Sequence, residues 1–192
     1  MKNSEKAQVV IIVAVLLMVI LLMIGLIIDG ARLMVEQQEL KRAADAAGKA
    51  GLIVVGDRMV TQVVSAQTAA ANLTLTATPA GSTPGPTLTP TPDPDDFYSW
   101  LTEDHRETLI APPMQTLVAT HVLGSVEENG FGFSNPAVTE LEIRYPEQYF
   151  SGAQHLQIYF RIRRIVTVLF GSLLNLEEGV LSGDTKQSIP QR

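Results

Sequence analysis

Val9 to Ile28 is a run of twenty residues without a charge, and it constrains this chain more than any other feature. A helix of that length is about 30 Å long at 1.5 Å per residue, the hydrocarbon thickness of a bilayer. The apolar region of a cleaved signal peptide is shorter, about 7–15 residues, and is followed by a small-x-small site. Here Ile28 stands where a site ending at Gly30 would need a small side chain, so a retained anchor is expected. Positive charges flank the run almost evenly: Lys2 and Lys6 before it, Arg32, Lys41 and Arg42 after it. The positive-inside count therefore does not choose an orientation. A short leading segment is simple to leave in the cytoplasm. The expectation is a single-pass protein of the cell membrane with residues 1–8 in the cytoplasm, 9–28 in the bilayer and the C-terminal domain outside.

The helical pattern continues past Ile28. Residues 29–71 contain no Pro and are rich in Ala, Leu, Glu, Gln, Lys and Arg, all good helix formers. One continuous helix from about Ala7 to about Ala71 is expected. Its weak points are Gly25, Gly30, Gly48 and Gly51, each costing on the order of 1 kcal/mol against Ala. Within "RAADAAGKAG", Ala43, Ala47 and Gly51 fall at i, i+4, i+8, and Ala44 and Gly48 form a parallel row. Small-xxx-small rows let a second backbone approach closely. Two readings fit. The rows form a helix-association seam beside the membrane, giving a homo-oligomer, or they belong to an Ala-rich helix that is solvated or lies on its own globular domain.

The apolar span followed by "DGARLMVEQQELKRAADAAGKAGL" resembles the N-terminal segment of the TadE/TadG-like proteins of tight-adherence (Flp-type) pilus systems. In that family an Asp follows the span, an Arg comes next, and an Ala-Ala-Asp-Ala-Ala stretch closes the segment. Asp29, Arg32, Ala43, Ala44, Asp45, Ala46 and Ala47 match that pattern, over about residues 5–55. The resemblance implies a structural or assembly component of a pilus or related surface apparatus, with the lipid bilayer and other pilus-assembly or pilin-like membrane proteins as partners, no catalysis and no cofactor. Two departures bear on it. The apolar run contains no Glu, so processing by a prepilin peptidase is not expected. The Asp-x-Ser-x-Ser metal motif of the longer family members is missing, and no von Willebrand-type domain is expected.

Residues 72–96 are a linker. Between 74 and 95 there are seven Thr, six Pro and two Gly, and Pro stops both helix and sheet. Residues 97–192 form a small domain. "DDFYSWLTEDHRETLIA" reads as a short helix with Asp96 as N-cap and Phe97, Trp100 and Leu101 on one face. Pro112 and Pro113 open a second helix that stops at Gly130, with an apolar stripe of Leu117, Val118, His121, Val122 and Val126. "TELEIRY" and "LQIYFRIRRIV" alternate apolar and polar residues with period two, which predicts half-buried strands. Strand parity then requires antiparallel partners whose numbers sum to 301 or 303, either of which sets acids against bases on the outer face. "TVLFGSLLN" is a short helix or loop and "EEGVLSGDTKQSI" a weaker third strand. The "F-x-x-x-L-G/N" shape of this tail resembles the same family. The fold class is α+β: a long transmembrane helix continuing beyond the membrane, a Thr/Pro linker, and a small α+β head with an antiparallel sheet.

Candidate chemistry is sparse. The net charge is −6 and there is no Cys, which argues against nucleic acid as a partner and excludes thiolate metal sites. His105, His121 and His155 have no metal-ligand spacing. "EDHRE", with Glu103, Asp104, His105 and Glu107, reads as a solvated helix surface, His121 as a core-edge residue, and Arg161, Arg163 and Arg164 as a solvated ridge. No catalytic, cofactor or metal residues are assigned. The alternative to a pilus component is a membrane-anchored extracytoplasmic binding or sensor module.

Overall fold

The computed structural model describes residues 2–76, 101–147, 156–171 and 178–189. The Thr/Pro run and the residues Asp96, Phe97 and Trp100 lie outside this set, as do His155 and most of the turn between the first two strands. The element order is α1 (Lys2–Thr76), α2 (Glu103–Ile110), α3 (Pro112–Glu128), β1 (Val138–Arg144), β2 (Gln157–Thr167) and β3 (Glu178–Ser188).

The 75 residues of α1 form one unbroken helix, about 110 Å long. Its apolar stretch touches almost nothing: in residues 9–28 only Gly25 is buried and Leu22 half-buried. This stretch is long and apolar enough to cross a membrane. Beyond it the helix is one layer of the head. Leu40, Ala43, Ala44, Ala47, Val55, Met59 and Val63 join a single core with α2, α3 and the sheet.

Helix α2 begins later than expected, at Glu103, and Thr102 is its cap: the Thr102 hydroxyl accepts from the His105 N–H at 3.3 Å. Pro112 and Pro113 do open α3. At its end the Phe131 N–H donates to the Val126 carbonyl at 3.0 Å and the Gly130 N–H to Glu127 at 2.9 Å. This Schellman arrangement needs the left-handed conformation that Gly130 adopts, with φ 77°. The buried stripe of α3 is Met114, Val118, Val122 and Val126. Leu117 and His121, expected on it, are exposed. The stripe keeps a strict i, i+4 spacing, and Gly51 of α1 lies against Val118 and Val122 within it.

The sheet is antiparallel in the order β1-β2-β3. Strand β1 pairs with β2 in the register of sum 303, with Leu141 opposite Ile162 and Ile143 opposite Phe160. A bulge between Val138 and Glu140 shifts the last pair. Ile158, Phe160 and Ile162 are fully buried on the inner face. The third strand is as long as the second and pairs with it from Thr167–Glu178 to Gln157–Ser188.

The small rows of α1 explain how close this layer lies. A Cβ on Gly183 of β3 would stand 2.8 Å from the Leu40 carbonyl carbon and oxygen. A Cβ on Gly48 would stand 2.9 Å from the Thr185 methyl, and one on Gly51 2.7 Å from Ile158 and 2.8 Å from Val122. Ala43, Ala44 and Ala47 are buried in the same stripe. Bulk at Gly183 would push the strand off the helix backbone, so Gly183→Ala should cost about 1–3 kcal/mol through overpacking. Gly56 has open space around it, so Gly56→Ala should instead gain up to about 1 kcal/mol from helix propensity. Urea unfolding midpoints of the full chain in detergent check both signs.

Candidate functional site

Helix and strand rises set where the sheet ends along α1. From Gly183, which faces Leu40, the five residues back to Glu178 cover about 17 Å of strand. The eleven residues from Leu40 back to Asp29 cover about 17 Å of helix. The chain that joins β2 to β3 therefore arrives at Asp29, the first charged residue after the apolar run.

Asp29 is buried, with 4% of its surface exposed. Its carboxylate accepts three consecutive backbone N–H groups: Leu169 at 3.2 Å, Phe170 at 2.6 Å and Gly171 at 3.2 Å. Successive N–H groups at a turn make a concave anion nest, and charge-assisted bonds of this kind offset the cost of burying a carboxylate. One turn below Asp29, the Phe170 ring lies against Gly25, where a Cβ would be 2.6 Å from the ring. Gly25 thus makes room for Phe170, and Asp29 holds the backbone that carries it. Arg32, one turn above, pairs with Glu36 at 2.9 Å on the exposed side of the helix. Asp45 is half-buried.

The structure brings Ala43, Ala44, Ala47, Gly48 and Gly51 together under the chain's own sheet and α3. The partner of Asp29 was not visible in the residues around it. The signal was the "LFG" of the tail, about 140 positions away, whose distance in sequence hid the contact.

The second polar arrangement is the outer face of the sheet. Arg161 bridges Glu140 at 3.1 Å and Glu142 at 2.5 Å, Arg163 pairs with Glu140 at 2.9 Å, and Arg144 pairs with Glu142 at 2.8 Å. The Arg144 guanidinium also sits 4.6 Å from the Tyr159 ring centre. Hydrogen bonding to Glu140 raises the Arg161 pKa above its ordinary value, and hydrogen bonding to Glu142 does the same for Arg144. These guanidiniums stay protonated and cannot shuttle protons. The charges of Arg144, Arg161 and Arg163 are met by Glu140 and Glu142, while the Arg164 guanidinium lies 5.8 Å from the Phe131 ring centre. His105 is half-buried and His121 exposed. Among the described residues no group of His, Asp or Glu is placed to hold a metal.

Comparison with known proteins fits this picture. Residues 7–54 match the Tad family model, described as Flp pilus-assembly TadE/G-like. The matched quarter of the chain holds the apolar run, Asp29 and the small rows, and it is similar to the TadE/G-like family there. No curated protein and no solved structure matches the chain.

Removing the Asp29 carboxylate leaves three N–H donors without their acceptor. Asp29→Ala should cost at least about 1–3 kcal/mol, the penalty for leaving a buried donor unsatisfied. Amide hydrogen exchange at 169–171 should speed up far more than at Phe160. Unchanged exchange at 169–171 would show that the carboxylate does not hold the loop.

Proposed function

We propose that this chain is a single-pass membrane protein that serves as a structural or assembly component of a Tad/Flp-type pilus or related surface apparatus, with its head outside the cytoplasm. The observation that carries the proposal is the TadE/G-like match over the apolar run and the helix directly above it. The geometry adds a mechanical role. The helix that crosses the bilayer is also a structural layer of the head, so the head is fixed to the anchor by packing as well as by the chain. A partner meeting the head would meet a body whose height and tilt above the membrane are set by α1.

Other pilus-assembly or pilin-like membrane proteins are the partners this role calls for, and the work is contact and positioning rather than catalysis. Homo-oligomerisation through the juxtamembrane helix belongs to the same proposal. Because Ala43, Ala44, Ala47, Gly48 and Gly51 are covered by the head, it would have to use the opposite face, which carries exposed Ile53, Val60 and Val64.

Deleting the gene should abolish surface pili seen by electron microscopy, and the intact chain should restore them. Normal piliation after deletion would contradict the role. Orientation is checked separately by protease added to intact spheroplasts, which should cut the Thr/Pro segment between 74 and 95, since exposed linkers are preferred nicking sites. The nicked C-terminal piece should stay on the membrane until urea separates it from α1. Protection of that segment would reverse the orientation.

A further inference from the structure

We propose that residues 169–171, which follow β2, are a second membrane contact, with Leu169 and Phe170 seated in the interfacial layer of the same bilayer that α1 crosses. The inference rests on the reading of residues 9–28 as a membrane span. Phe170 lies on Gly25, three residues inside that run. The span residues around Gly25 point outward: Leu21 is 57% exposed, Ile24 48% and Ile28 50%. A bilayer that covers these side chains also reaches the ring lying among them. Leu169 beside it is 58% exposed and Phe170 37%, so two large apolar side chains are presented at the level of the apolar run.

A loop can enter this layer only if its backbone is satisfied without water, because an unpaired N–H there is costly. The N–H groups of Leu169, Phe170 and Gly171 all donate to Asp29. Hence the carboxylate does two things at once. It neutralises the donors of the loop, and it is itself shielded by them where the helix leaves the apolar layer. The depth follows from the helix rise: Gly25 is about 6 Å below Asp29, within the 5–10 Å that interfacial apolar groups penetrate. The head then has two footholds on the lipid, and rotation of the sheet about the α1 axis is restricted as well as its height.

The sequence has no Cys, so single-cysteine labelling of the full chain is direct. Met18→Cys, Leu169→Cys and Thr120→Cys variants, each carrying an environment-sensitive NBD label, are reconstituted into phosphatidylcholine vesicles with lipids spin-labelled high or low on the acyl chain. Thr120 is exposed on α3 at the level of Gly51, about 33 Å above Asp29, and serves as the aqueous control. The expected result is quenching at 169 severalfold above that at 120 and strongest with the high spin label, while 18 responds best to the low one. Quenching at 169 no greater than at 120, with 18 strongly quenched, overturns the inference and leaves the anchor standing. Shielding of 169 from aqueous iodide without lipid quenching means a second copy covers it, and also overturns the inference. Absence of lipid quenching at 18 removes the anchor reading, and the second contact with it.

Discussion

The approach of β3 to the backbone of α1 is the constraint on which the rest of this protein depends. A sheet that is apolar on one face must bury that face against another layer. Helix α3 covers part of that face, and α1 covers the rest. The second layer works only because the facing positions on α1 are Ala43, Ala44, Ala47, Gly48 and Gly51, and because β3 presents Gly183 where it crosses Leu40. Leu at any of these α1 positions would hold the sheet off and open a gap beneath Ile158 and Phe160. The loop at the foot of the sheet would then miss Asp29, since the strand and helix rises would no longer bring the two together.

That geometry gives the family-like residues a physical meaning. The Asp after the span is the acceptor for a loop of the head, and the Ala/Gly stretch is the bed in which the sheet lies. Both are properties of a helix that is long, apolar and uncovered below Asp29 and protein core above it. Such a helix has no single amphipathic period along its length. It is apolar all round over residues 9–28, and above Asp29 its buried residues lie on the stripe that faces α3 and the sheet. The outer face of the sheet has no comparable demand. Its alternating acids and arginines pair with one another, and exposed pairs of this kind contribute little to stability.

The long apolar run, the continuous helix, both proline-started and glycine-stopped features of α3, and the alternating strands were legible in the sequence, because each depends on local chemistry. The parity rule reduced the β1–β2 pairing to two registers, and the structure takes the one in which Glu142 faces Arg161 and Glu140 faces Arg163. What sequence could not show was which backbone the small residues admit, because small-xxx-small rows suit a neighbouring copy and an intramolecular strand equally well. Thr102, which caps α2, lies inside the stretch read as one helix, and the Asp96 end of that reading lies outside the described residues. His121 was placed on the stripe by periodicity, but the buried positions repeat at i, i+4 from Met114 and leave it in solvent.

The central claim is that α1 is a structural layer of the head and not merely its tether. Thermal unfolding of two soluble fragments, 29–192 and 97–192, followed by circular dichroism, tests it most directly. The account predicts a cooperative transition for 29–192 and none for 97–192, whose sheet would lack the layer that buries Ile158, Phe160 and Ile162. A cooperative transition in 97–192 with the same midpoint as in 29–192 would contradict it.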